Sequence, residues 1–252
     1  MPATFPVRFV LLPVLFVALA CSDAPPDPQA IVDAAMAAHG GEVLRRAVVE
    51  FDFRGAHFTV TREDGLFRYE RRYTDTTGTV REVLANDTLF RAVDGEVVAL
   101  NEKERLKVEE DVNSVVYFAL LPFPLNDPAV QKRYLGLDTL RGEPYHEVEI
   151  TFRKEGGGRD YQDRFVYWFH QDRATMDYLA YYYYTNETGS RFREAFNVRY
   201  VGGVRFADYR NYTADTLGPG DIEHYDTLFE EGRLRPVSEI VLENVTVRPL
   251  ER

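Results

Sequence analysis

The chain has 252 residues, 45% of them hydrophobic, with 30 basic against 41 acidic side chains and a formal net charge of −11. That balance argues against nucleic acid as a partner, because phosphate binding requires a cationic face. A single cysteine excludes any internal disulfide, so stability must come from a packed core.

Taken in chain order, residues 9–20 (FVLLPVLFVALA) form an apolar run after Arg8, too short for a permanent bilayer helix of roughly 20 apolar residues. A basic start, an apolar middle and a small-residue exit have the layout of an export signal. Cys21 follows Ala18, Leu19 and Ala20 directly, which resembles a bacterial lipobox. The expectation is a signal peptide over 1–20, with Cys21 as the lipid-attachment residue. A Pro- and Asp-rich tether over 21–27 would then hold one domain, 28–252, to a membrane of the cell envelope, expected to be the outer membrane.

Asp27-Pro28 is a good helix start, and Ile31, Val32, Ala35 and Met36 recur at helical spacing before Gly40-Gly41 stops them. The period then changes to two. Alternation over 48–54, 57–62, 66–73, 79–85, 88–93 and 96–100, broken by Asp64-Gly65, Asn86-Asp87 and Asp94-Gly95, describes an antiparallel meander. A second helix is expected over 107–121, ended by Pro122 and Pro124. Asn126-Asp127-Pro128 is read as capping one further turn through Tyr134. Strands resume over 145–153, 164–170, 178–185, 191–201 and 204–212, with Gly156-Gly157-Gly158 as a hairpin turn. Residues 213–235 read as a long surface loop, and 237–247 as a last strand.

Ten or so strands with one apolar face each, and two or three helices, call for a mainly β (α+β) fold. The expected form is a curved antiparallel sheet or incomplete β-barrel closed by the helices, with a β-sandwich as the alternative. Three stretches carry a family resemblance: VNSVVYFALLPFPLNDPAV, EVEITFRKEGGGRDYQDRFVYWFHQD and MDYLAYYYYTNETGSRFREAFNVRYVGGVRFADYRNY. They resemble a family of uncharacterised secreted lipoproteins of Gram-negative bacteria, itself similar to the LolA-like carriers. The resemblance implies an incomplete barrel over an apolar cavity that holds acyl chains.

Sixteen Tyr, 17 Phe and Trp168 make aromatics the densest unusual feature. On a strand Tyr181 and Tyr183 face one way, Tyr182 and Tyr184 the other, so one pair lines an interior. Candidate ligand-binding residues are Tyr117, Phe118, Leu121 and Phe123 at the second helix's exit, Trp168, Tyr181 and Tyr183 on strands, and Arg191 and Arg193 for an anionic headgroup. A packed core of the same residues is the competing reading. The five histidines lack zinc-helix spacing, and no nucleophile elbow or phosphate-cradling loop is present, so no metal, cofactor or catalytic residue is expected. The leading expectation is a non-catalytic carrier of a lipid or other amphiphile. A surface module contacting protein or glycan, and an unrecognised hydrolase, are the alternatives.

Overall fold

The side chain of Asp27 accepts the Gln29 N–H and Pro28 sets the first helical φ, so α1 (Pro28–Ala38) begins where its sequence signals place it. The protein is described by a computed structural model over residues 24–184, 188–214 and 217–251, so the expected signal and Cys21 lie outside the described residues. Past α1, Gly40 adopts φ 81° directly against a turn of the chain, where a Cβ would strike the Gly203 carbonyl oxygen. His39 is 3% exposed, and its Nε2 accepts the Met176 N–H at 3.1 Å. Burial, and then the Arg205 charge, hold its pKa down to about 3, so the ring is a neutral acceptor.

After the single turn α2 (Gly41–Leu44) the meander follows as β1 (Arg46–Phe53), β2 (Ala56–Glu63), β3 (Leu66–Asp75), β4 (Gly78–Ala85), β5 (Thr88–Val93) and β6 (Glu96–Val98). Helix α3 (Glu102–Ala119) starts earlier than the expected 107. Asn101 and Glu104 form a reciprocal capping box there, ahead of the first apolar residue.

The segment expected to turn once more as a helix is instead a strand. Asp127 and Pro128 follow a 3₁₀ turn over Phe123–Asn126, and β7 (Val130–Leu140) pairs with β8 (Glu143–Phe152) from Val130↔Phe152 to Leu140↔Glu143. A bulge between Tyr134 and Gly136 breaks its two-residue alternation, which hides the strand in the sequence. Next come β9 (Arg164–His170), β10 (Met176–Tyr183), β11 (Gly189–Val201) and β12 (Val204–Thr213). Residues 213–235 are not simply a surface loop. They hold a 3₁₀ turn and α4 (Tyr225–Glu230), which bury Ile222, Tyr225 and Phe229 at helical spacing. The expected last strand is two strands, β13 (Arg235–Ile240) and β14 (Glu243–Pro249).

Among the described residues fourteen strands pair antiparallel in two seven-stranded sheets, β14-β1-β2-β3-β4-β5-β6 and β13-β12-β11-β10-β9-β8-β7. The chain passes from the second sheet to the first between β13 and β14. Asp208, 1% exposed, fixes that crossing by accepting the Leu242 N–H at 3.0 Å and pairing with Arg199 at 3.1 Å. Among the described residues edges β6 and β7 do not pair with each other, nor do β13 and β14, so the β structure is not closed.

One core lies between the sheets, where α1 and α3 join residues such as Phe51, Phe58, Val148, Tyr167 and Phe206. A second core lies on the opposite face of the second sheet, beneath α4 and built around Trp168 and Phe192. The fold is therefore mainly β, with few helices and two large open sheets.

Candidate functional site

Helix α3 lies along the first sheet. Val108, Val112, Val116 and Ala119, at helical spacing, are buried on one face, and the helix packs against β3, β4 and β5. A polar tie reinforces the seam: Arg71 of β3 reaches Asp111 at 2.9 Å, and the fully buried Glu82 pairs with both Arg71 and Arg91. With α3 held to the first sheet, another of its faces is left across a gap from the second.

That gap is a cavity of about 560 Å³, within the range of roughly 300–1,000 Å³ typical of small-molecule sites. Tyr117, Phe118 and Leu121 wall one side. Phe165, Tyr167, Leu179 and Tyr181 of β9 and β10 face them, with Arg193 of β11 and Asn211 of β12 beside these. Phe53, Phe152 and Ile240 complete the apolar lining, and Glu110, Arg159 and Asp163 stand among its polar members. Burial pushes the Asp163 carboxyl up to about 6, against the lowering effect of the Tyr184 N–H that it accepts at 3.1 Å.

Two polar groups in the wall of the hollow lack partners. The hydroxyls of Tyr117 and Tyr167 are buried with no hydrogen-bond partner among the described residues, a condition that costs about 1–3 kcal/mol per group. Burial raises the pKa of both phenols well above the ordinary value, so each keeps its proton. Arg193 donates from Nε to Asn211 at 3.0 Å and from Nη2 to the Tyr181 hydroxyl at 2.9 Å. Its guanidinium lies 5.4 Å from the Phe118 ring and 4.9 Å from that of Tyr181. Among the described residues no carboxylate stands at ion-pair distance from it. The arrangement can hold an apolar body beside an Arg193 guanidinium that has no ion pair among the described residues, with two unpartnered phenols buried in the wall.

Of the residues singled out from the sequence, Tyr117, Phe118, Leu121, Tyr181 and Arg193 line this hollow, and the others stand elsewhere. Phe123 opens the 3₁₀ turn after α3, sits under the Arg62 guanidinium at 4.6 Å and lines a separate groove. Trp168 is fully buried in the second core, because alternation along β9 sends Tyr167 one way and Trp168 the other. Tyr183 packs beside Tyr181 at 6.0 Å, nearer the end of β10, with the Arg191 guanidinium 5.5 Å from its ring. Arg191 itself donates to the Ser190 carbonyl, one alternation nearer the strand end than Arg193.

Phe165, Tyr167 and Leu179 were missed from sequence, yet their hairpin register pairs Leu179 with Tyr167 and Tyr181 with Phe165, and extending the face of Tyr181 back along β10 and across to β9 finds them. Nothing local marks Phe53, Asn211 or Ile240. Among the described residues no group of three or more His, Cys, Asp or Glu is placed to hold a metal, and no helix is long and apolar enough to cross a membrane. His170 is occupied structurally: its Nδ1 accepts the Asp172 and Arg173 N–H groups, and Nε2 contacts Glu143 at 2.9 Å.

A family model described as a family of unknown function, DUF6503, matches residues 7–243. None of the curated proteins matches the chain. Among solved structures it is similar to a LolA superfamily protein from Nitrosomonas europaea, at 12% identity and a TM-score of 0.47, over 89% of this chain and 94% of that one. It is similar to a DUF1329 family protein from Desulfovibrio piger at 13% identity and a TM-score of 0.41, over 88% and 93%. A third is the lipoprotein LppX of Mycobacterium tuberculosis, at 11% identity and a TM-score of 0.29, over 62% and 88%.

Proposed function

For a chain that belongs to the DUF6503 family of unknown function, we propose the role of a cell-envelope lipoprotein that binds an amphiphile in the hollow between α3 and the second sheet, without chemical conversion. In this reading residues 28–252 form the binding domain, 21–27 the tether, and Cys21 carries the lipid that holds the chain to the membrane.

The observation that carries the proposal is the unfilled space itself. Side chains leave a cleft of about 560 Å³, partly open to solvent, beside Phe118, Phe165 and Leu179, a size typical of small-molecule sites. An apolar ligand covers that surface without disturbing either sheet, and the unpartnered phenols gain partners from its polar end. Nothing in the hollow resembles a nucleophile with its base, which favours carriage over catalysis.

Native mass spectrometry of the full chain purified from a bacterial membrane fraction tests both parts. The expected spectrum shows an acyl-modified Cys21 peptide after digestion and a non-covalent lipid released from the intact protein on activation. Repeated recovery of empty protein, with no uptake of added long-chain amphiphile, refutes the carrier role. An unmodified Cys21 on a full-length or otherwise processed chain refutes the anchor.

A further inference from the structure

We propose that the ligand carries a single carboxylate on one long apolar chain, and that Arg193 is the seat of that carboxylate, with the Tyr117 and Tyr167 hydroxyls as auxiliary donors. This rests on the reading of the hollow as an amphiphile site.

Arg193 is half-buried and has no ion pair among the described residues. It projects from the second sheet among Phe118, Tyr181 and Leu179, and its protein partners, Asn211 and the Tyr181 hydroxyl, are neutral. A guanidinium in apolar surroundings gains most from a planar anion that accepts two of its N–H groups at once, and a carboxylate has that shape. Nη1 makes no hydrogen bond among the described residues, so a donor remains for it. The two orphaned phenols belong to the same cluster: Arg193 and Tyr117 both act electrostatically on Tyr167. One N–H of Arg193 and two phenols are thus left unused beside the hollow, and a carboxylate accepts hydrogen bonds from groups of both kinds.

Charge and size narrow the class. Besides Arg193 the lining holds Arg54 and Arg159, the latter facing Glu110 at 3.8 Å, and its four acidic residues, Glu109, Glu110, Asp160 and Asp163, oppose a ligand of high negative charge. At the roughly 30 Å³ that a water-sized group occupies, the cavity holds on the order of 20 non-hydrogen atoms. That is the size of one long-chain carboxylic acid. The polar end therefore lies inside on Arg193, and the chain runs along the aromatic wall.

Native mass spectrometry of the full chain, titrated with palmitic acid, hexadecanol or phosphatidylglycerol, tests the assignment. Palmitate is expected to bind at least about tenfold more tightly than hexadecanol, the size of one charge-assisted hydrogen bond. Arg193→Gln is expected to remove that preference, bringing palmitate affinity to that of hexadecanol in the same variant. Tyr117→Phe deletes a hydroxyl that has no partner in the protein, so it is expected to keep the melting temperature and weaken palmitate about threefold. If Arg193→Gln fails to fold, the Tyr117→Phe and Tyr167→Phe pair decides in its place, and unchanged palmitate affinity in both overturns the seat. Equal binding of palmitate and hexadecanol by the parent protein overturns the carboxylate seat and leaves the apolar hollow standing. Preference for phosphatidylglycerol overturns the ligand class. Binding of none of the three overturns this inference and the carrier reading together.

Discussion

The second sheet carries an aromatic layer on each face, and only one of them is filled. On the outer face Phe192 is the hub of a dense cluster, with Phe229 at 4.9 Å and Trp168, Tyr178 and Tyr225 each within 5.8 Å. The hydroxyl of Tyr225 there shares a 2.7 Å hydrogen bond with Ser190 and accepts the Ala214 N–H at 3.1 Å. On the inner face Phe165, Tyr167 and Tyr181 are as aromatic, yet they border a cavity, and the hydroxyls of Tyr117 and Tyr167 have no partner among the described residues. Aromatic density by itself therefore does not mark a binding site. What separates the two layers is whether an element is available to cover them. Helix α4 lies directly on the outer layer, whereas α3 is committed to the first sheet and stands off from the inner one.

Truncation tests the contrast most severely. Phe192→Ala is expected to destabilise the protein by about 3–5 kcal/mol, because a ring at the centre of a close-packed layer leaves a cavity that its neighbours cannot collapse into. Leu179→Ala, on the same sheet but beside existing space, is expected to lie near 2 kcal/mol, the low end for its class. Urea denaturation measures both, and equal losses would show that the inner face is as tightly packed as the outer.

The dependence of stability on pH offers a second, smaller contrast. Glu147 pairs with Trp168 across β8 and β9 on the outer side, and burial followed by the Asp226 and Asp138 charges pushes its pKa up from 4.5 to about 8. Burial, then a carboxyl hydrogen bond with Asp138, takes Asp226 of α4 from 3.8 to about 7. Both folded-state values are raised, so the folded protein binds these protons more tightly than the unfolded chain. Their stabilising contribution is complete below about pH 4 and is lost as pH rises through about 7 and 8. The melting temperature is expected to fall between pH 5 and 9, and Glu147→Gln to flatten the upper part of that decline. A parallel decline in the variant would detach the outer layer from these acids.

Hydroxyl deletion should give the smallest effects, of opposite character on the two faces. Tyr225→Phe leaves Ser190 and the Ala214 N–H without their partner and is expected to cost about 1–2 kcal/mol, whereas Tyr167→Phe removes an unsatisfied group and is expected to be neutral or slightly stabilising. Thermal melts of the two variants distinguish these outcomes, and a clear loss in Tyr167→Phe would mean that its hydroxyl is satisfied.

Legibility in the sequence followed the range of the forces involved. The meander, the start of α1 and the end of α3 depend on neighbours a few residues apart, on alternation, turn dipeptides, caps and prolines, and these were readable. Strand β7 was not, because a bulge shifts its phase at Tyr134 to Gly136. Helix α4 was hidden because Ile222, Tyr225 and Phe229 are diluted by acids, of which Asp226 is buried and Glu223 pairs with Arg164. Among the site residues, the α3 exit and the Tyr181 face followed from local periodicity. Phe123, Trp168 and Arg191 share their composition with the hollow but not its position, which one residue of alternation or one step along a strand decides.

By itself the sequence determined a mainly β chain with an apolar helix, a stock of aromatics and an acidic balance, since each follows from composition and short-range period. Only the tertiary structure decided that β13 and β14 part into different sheets, that α3 packs on the first and not the second, and that the space so left is open around an uncompensated Arg193. Emptiness is a property of how distant elements fail to meet, and no local pattern of residues encodes a distance between two surfaces.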